Sequence, residues 1–126
     1  MIRKIVLIDD ERAMRRSVEQ WLGLSDFQVS SYCDGHEALR DLSPDFDGVI
    51  VSDVKMPGLS GMEVLDAVIA VDAEIPVILI TGHGEVAMAV EAMKRSAHDF
   101  LEKPFSPERL LEVVTRAHER RSLVLE

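Results

Sequence analysis

The chain has 126 residues, a formal net charge of −9, 47% hydrophobic and 29% charged residues, proportions that fit one globular domain whose core needs no disulfide or structural metal. That acidic balance argues against nucleic-acid binding by this segment itself, because phosphate contact needs Lys and Arg clustered on an accessible face. A single cysteine, Cys33, excludes an internal disulfide and cysteine-cluster metal sites, suits a reducing compartment and reads as a semi-buried small hydrophobe. The apolar run Ile5 to Ile8 leads straight into Asp9 and Asp10, too short for a membrane span or a signal-peptide core, so the expected location is cytoplasmic, with no membrane contact.

In chain order, short aliphatic or β-branched runs alternate with helical periods. A first strand is predicted over Lys4 to Asp9, followed by a helix in which Met14, Val18, Trp21 and Leu22 share one face and which ends near Gly23. The run Phe27 to Tyr32 is mixed in polarity, as an edge strand would be. Ala38, Leu39 and Leu42 mark a second helix stopped by Ser43-Pro44. A third strand follows over Gly48 to Asp53, then a helix on Met62, Leu65 and Ile69. The fourth strand covers Pro76 to Thr81, and the fourth helix presents Val86, Ala89, Val90, Met93 and Ala97 as its apolar stripe. A fifth strand runs from Asp99 to Lys103; Ser106 caps a last helix with Pro107 in its first position and Leu110, Leu111, Val114 and Ala117 facing inward. That pattern continues through Arg116, Arg120 and Arg121 to Leu123-Val124-Leu125. Strict strand-helix alternation implies an α/β fold of three layers, with a five-stranded parallel sheet covered by helices on both faces.

In such a sheet ligands bind beyond the carboxyl ends of the strands. There the sequence places Asp9-Asp10, Asp53, Thr81 and Lys103, at the ends of four different strands. Alone, Asp9-Asp10 would pass for a turn and helix cap, and Lys103 for a solvated lysine. Their coincidence at one edge is what points to chemistry. If the first and third strands are neighbours, the three carboxylates converge and repel unless a cation lies between them, and hard oxygen ligands with room for water suit Mg2+. Asp53 as a carboxylate nucleophile would give an acyl phosphate, with Lys103 supplying a compact positive charge and Thr81 a hydrogen bond.

The motifs Asp9-Asp10-Glu11, Asp53-Val54-Lys55-Met56-Pro57-Gly58, Thr81-Gly82 and Lys103-Pro104-Phe105 closely resemble those of the receiver domains of bacterial two-component response regulators, in order and spacing over essentially the whole chain. The resemblance implies the flavodoxin-like strand order 2-1-3-4-5 with five helices, a cis Lys103-Pro104 bond and Asp53 as the acceptor of a phosphoryl group from a sensor histidine kinase. Asp10 would bind Mg2+ directly, Asp9 directly or through water, and Asp53 and the Lys55 backbone carbonyl would complete the protein ligands. Thr81 and the Gly82 amide would contact phosphoryl oxygens, Lys103 would bridge phosphate and Asp53, and Phe100 would be the switch aromatic moving with Thr81. Such a domain is not an enzyme in the turnover sense; it assists its own phosphorylation and dephosphorylation. Ser96-Ala97 departs from the Gly-Ala of many relatives, which predicts a less sharply turned exit from the fourth helix. His83 and His98 read as structural or surface residues.

Ile80-Thr81-Gly82-His83-Gly84 and the run Asp99 to Phe105 are similar to a narrower group, the receivers of sigma-54-dependent activators of the nitrogen-regulation and C4-dicarboxylate-transport type. In that group an AAA+ ATPase and a helix-turn-helix DNA-binding domain follow, transcription is the output, and the receiver forms a homodimer. Residues 1–120 would then be the receiver, and 121–126 the start of a linker helix in a piece of a longer protein; no GxxxxGK[ST] phosphate-binding loop occurs in this chain. The competing reading is a Mg2+-dependent aspartyl-phosphate phosphohydrolase. That class places a second Asp two residues after its nucleophile, and here the position is Lys55, which cannot serve as a carboxylate base.

Overall fold

The computed structural model describes residues 3–82 and 85–125. Five strands, β1 (Arg3–Ile8), β2 (Phe27–Tyr32), β3 (Val49–Asp53), β4 (Val77–Thr81) and β5 (Asp99–Glu102), form one parallel sheet in the order β2-β1-β3-β4-β5. Between and after them run α1 (Arg12–Gly23), α2 (Gly35–Leu39), α3 (Gly61–Val71), α4 (Val86–Lys94) and α5 (Pro107–Leu125). The expected three-layer fold and strand order are therefore present. Mixed-polarity β2 lies at the edge, while β3 and β4 are buried at every position, as strands covered on both faces must be.

Alternation along the strands divides the core in two. Ile5, Leu7, Val49, Val51, Ile78 and Ile80 pack under α1 and α5 with Val18, Leu22, Leu110 and Val114. Ile8, Ile50, Val77 and Leu79 face the other way, onto Val64, Leu65, Val68 and Ala92. Ser60 begins α3 with a full capping box, its hydroxyl accepting from the Glu63 N–H while the Glu63 carboxylate accepts from the Ser60 N–H. Ser106 likewise accepts from the Arg109 N–H at 3.0 Å ahead of Pro107.

Four local expectations are corrected. Helix α2 ends at Leu39, before the Ser43-Pro44 stop, with the Leu42 N–H closing a turn onto the Leu39 carbonyl. The buried face of α4 is Ala89 and Ala92, with Ala97 just beyond, while Val86, Val90 and Met93 point outward at 62%, 51% and 42% exposure. Small residues let the helix lie close to the sheet, and a rotation of the stripe by about one position is enough to leave the larger side chains in solvent. Ser96 adopts φ of +76°, so the exit from α4 is sharply turned after all, by a serine in the left-handed region at a cost of roughly 1–2 kcal/mol. Cys33 is exposed, on the segment between β2 and α2, where no core reaches it.

Helix α5 is the longest element, at 19 residues. Its Arg121 side chain has no exposed surface: Nε donates to the Phe46 carbonyl at 2.9 Å, Nη2 to the Pro44 carbonyl at 2.7 Å and Nη1 to Asp72 Oδ2 at 3.1 Å. The guanidinium thus ties the helix to the turn before β3 and to the end of α3. His98 donates its backbone N–H to the Val77 carbonyl at 2.9 Å, and burial holds its imidazole below the usual value, in keeping with a structural residue. His83 lies outside the described residues. Among the described residues no helix is long and apolar enough to cross a membrane.

Candidate functional site

Parallel strands bring all their carboxyl ends to one edge, and the register fixes which residues meet there. Ile8 of β1 pairs with Ser52 of β3, so the next residues, Asp9 and Asp53, come level. Asp53 pairs with Ile80 of β4, and Thr81 pairs with Glu102 of β5. The Lys103 N–H continues that ladder onto the Thr81 carbonyl at 2.8 Å. The Lys103-Pro104 bond is cis. Helix α3 starts hard against the site: a Cβ on Gly61 would lie 2.5 Å from the Asp53 carbonyl oxygen, so only glycine allows that approach.

One carboxylate oxygen from each of Asp9, Asp10 and Asp53 lies within 4.8 Å of the other two. Both oxygens of Asp53 are held, Oδ2 by the Lys103 ammonium at 2.9 Å and Oδ1 by the Lys55 N–H at 3.2 Å. Burial works against the Lys103 charge, yet the hydrogen bond and charge of Asp53, with Asp9 and Glu11 behind them, hold its pKa above the ordinary lysine value. Asp9 is fully buried; its Oδ1 accepts from the Glu11 N–H at 2.9 Å, whereas Oδ2 has no hydrogen-bond partner among the described residues. Burial pushes the Asp9 carboxyl up to about 6, with the Asp53 and Asp10 charges adding to the rise and the Glu11 N–H and Lys103 opposing it. Asp10 is exposed at the rim. An orphaned carboxylate oxygen beside two further carboxylates is costly unless a cation satisfies it, and an all-oxygen donor set with one open side fits a hard divalent ion.

The other expected residues surround this centre. Thr81 is buried, and its hydroxyl donates to the Leu101 carbonyl at 3.4 Å. Phe100 is 36% exposed and lines a surface cavity of about 420 Å³ with Leu101, Pro104 and Arg109. The Gly82 N–H donates to the Glu85 carboxylate. Sequence reasoning missed Glu85, whose only signal is an acidic residue opening α4 four positions after Thr81.

An acidic trio of which Asp9 and Asp53 are buried and Asp10 is exposed, a lysine on the central carboxylate and a strand-end hydroxyl, all at the carboxyl edge of a sheet ordered β2-β1-β3-β4-β5, define a phosphoacceptor domain of the two-component kind. Residues 5–115 match the response regulator receiver domain family, and the chain belongs to that family. It is 45% identical over 122 residues to the C4-dicarboxylate transport transcriptional regulatory protein DctD of Rhizobium meliloti, covering 97% of this chain and 26% of that protein. It is 45% identical over 114 residues to the transcriptional regulatory protein FixJ of Bradyrhizobium diazoefficiens, covering 90% of this chain and 55% of that protein. Among solved structures, a response regulator receiver domain protein from Clostridium thermocellum superposes with a TM-score of 0.91 at 32% identity, over 98% of this chain and 99% of the other. The chain thus spans about a quarter of the length of DctD and about half that of FixJ.

Proposed function

We propose that Asp53 is the phosphoacceptor of this receiver, taking its phosphoryl group from a sensor histidine kinase. The observation that carries the reading is the Asp53 carboxylate held between the Lys103 ammonium and the Lys55 N–H beside two further carboxylates. In the transfer an Asp53 oxygen forms a bond to phosphorus as the P–N bond to the kinase imidazole breaks, and the imidazole leaves with that electron pair. Lys103 orients Asp53 and then stays beside the new acyl phosphate, where its charge offsets the phosphoryl oxygens. Thr81 exchanges the Leu101 carbonyl for a phosphoryl oxygen, and the Gly82 N–H donates to another. The carboxylates of Asp9, Asp10 and Asp53 and the Lys55 backbone carbonyl would hold Mg2+. When bound, the ion supplies positive charge against the carboxylates and the incoming phosphoryl group.

Acetyl phosphate with Mg2+ should therefore add one phosphoryl group per chain, seen by intact mass, and peptide mapping should place it on Asp53. Full labelling of Asp53→Asn, with Asp53 unmodified in the wild type, would sink the assignment. The same centre assists hydrolysis of the acyl phosphate, so the domain acts as a timed switch. The phosphohydrolase reading gains nothing from the structure, since the Lys55 side chain is exposed and its ammonium lies 3.8 Å from the Glu85 carboxylate.

The output we propose is transcriptional and cytoplasmic, through AAA+ and DNA-binding domains that follow a receiver of residues 1–120, the helix from Arg121 onward serving as the start of the linker. Phosphorylation draws Thr81 inward, opens space for Phe100 and repacks α4. The surface so altered carries Val86, Val90, Met93 and Phe100, all exposed, and α5 adds Leu123, Val124 and Leu125. Homodimer formation through this face is the expected result, with the association constant rising roughly five- to hundredfold, the range of typical site-to-site couplings. Analytical ultracentrifugation with Mg2+, with and without beryllofluoride as acyl-phosphate mimic, measures it. An identical mass distribution with the mimic bound would mean that the signal leaves through a monomer surface.

A further inference from the structure

We propose that the Glu85 carboxylate occupies the phosphoryl-oxygen position at the Gly82 amide in the resting chain and is an internal competitor that phosphorylation must evict. The inference rests on the reading of Asp53 as phosphoacceptor and of the Gly82 N–H as a phosphoryl donor.

Glu85 is the residue before α4, yet its side chain makes no cap to its own helix. It turns back and accepts the Gly82 N–H instead. The whole residue is 9% exposed, and among the described residues its second oxygen is buried without a hydrogen-bond partner and the nearest cation is the Lys55 ammonium at 3.8 Å. A carboxylate withdrawn from water with one neutral donor and one loose ion pair is poorly compensated. It is held there by local geometry and can be displaced by a better-placed anion.

Occupancy of the amide is exclusive. A Cβ built on Gly82 would lie 2.6 Å from Glu85 Oε1, so the space next to Gly82 is already filled by that oxygen. The amide has one proton to donate. A phosphoryl oxygen can take it only after Glu85 leaves, and until then the Glu85 charge adds to that of Asp9, Asp10 and Asp53 against any incoming anion.

Eviction also explains how the signal reaches the surface. The Glu85 carbonyl accepts from the Ala89 N–H at 3.2 Å and the Met88 N–H at 3.1 Å, and the Glu85 N–H donates to the Gly82 carbonyl at 3.3 Å. The residue that must move is therefore bonded through its backbone to the first turn of α4, the turn that displays Val86 and leads to Val90. Glu85 acts as a positioning residue: it sets the resting α4 and the threshold for leaving it.

The test is titration of beryllofluoride at saturating Mg2+, followed by 1H–15N NMR, on wild type, Glu85→Ala, Glu85→Gln and an Asp53→Asn control. Glu85→Ala should bind the mimic more tightly by roughly five- to hundredfold, with Glu85→Gln, which keeps the acceptor but not the charge, between it and wild type. Before any ligand is added, the Gly82 amide proton should move upfield in Glu85→Ala, reporting loss of the charged acceptor. If Glu85→Ala proves unstable, the isosteric Glu85→Gln carries the comparison. Equal or weaker affinity in both variants, with binding still abolished by Asp53→Asn, overturns the competitor while leaving the phosphoacceptor reading intact. Binding that survives Asp53→Asn overturns both.

Discussion

Asp9→Asn should stabilise the metal-free domain by about 3 kcal/mol at neutral pH and remove its response to Mg2+. The Asp9 carboxyl rises from the ordinary 3.8 to about 6 in the folded chain, and at about 1.4 kcal/mol for each tenfold change in proton affinity that rise corresponds to a penalty of roughly 3 kcal/mol once the group is ionised. Below pH 3.8 both states are protonated and no penalty exists. Between about pH 4 and 6 the unfolded chain has already released this proton while the folded one retains it, so the folded state loses stability as pH rises through that window. Asparagine preserves the acceptor for the Glu11 N–H and turns an amide toward the Asp53 and Asp10 carboxylates, so the variant escapes the penalty without losing its turn. Denaturant unfolding without metal should show wild type and variant converging near pH 4 and separated by about 3 kcal/mol at pH 7.5. Mg2+ should raise the stability of the wild type alone, by mass action on the folded state. A variant no more stable than wild type at pH 7.5 would show that Asp9 is not the strained group, and one still stabilised by Mg2+ would show that it is not a ligand. Asp10, equally suspect in sequence, is exposed, and solvent already screens its charge.

The edge of the sheet was legible because strand ends are legible. Asp9 and Thr81 directly follow apolar runs, Asp53 follows Val49-Ile50-Val51 after a single serine, and Lys103 closes the short run Asp99 to Glu102, and parallel strands leave no choice about which end those residues share. Sequence could not say which carboxylate would be buried, since that depends on the Tyr32 carbonyl receiving the Asp9 N–H while Asp10 turns outward. It also misjudged α4. Val86, Ala89, Val90 and Met93 satisfy a helical period as well as Ala89 and Ala92 do, and only the depth of the helix against β4 selects the alanines. Glu85 gave no warning, because an acidic residue at a helix start is ordinary. What singles it out is a side-chain direction, back toward Gly82, that no periodicity encodes. Ser96 shows the same limit from the backbone side: its left-handed φ is dictated by the Ala97 N–H reaching the Ala92 carbonyl at 3.0 Å, a closure invisible in a Ser-Ala pair.

Arg121 lay where the sequence suggested a linker, and replacing it should carry a large stability cost. Arg121→Ala removes the donors to the Pro44 and Phe46 carbonyls and to Asp72 at once. Each backbone acceptor left without a partner costs about 1–3 kcal/mol if it stays buried; Asp72 is one-quarter exposed and recovers water, so its loss adds little. Relaxation of the turn at Pro44 will return some of this, and a net loss of about 3 kcal/mol is expected, or about 10 °C in Tm for a domain of this size. Arg121→Met, which keeps the aliphatic stem but not the fork, should fall between wild type and alanine, because part of the loss is packing. Arg121→Lys should recover less than its charge suggests, since a point ammonium cannot reach two carbonyls and a carboxylate in the directions the guanidinium spans. Amide exchange over residues 122–125 would separate the two consequences: if the clamp fixes where α5 leaves the domain, these amides lose protection in Arg121→Ala even under conditions where the core remains folded. A change under 1 kcal/mol with unaltered exchange at the end of α5 would mean that the helix is held by Leu110, Val113, Val114 and Ala117 alone, and that Arg121 is buried without bearing on where the chain goes next.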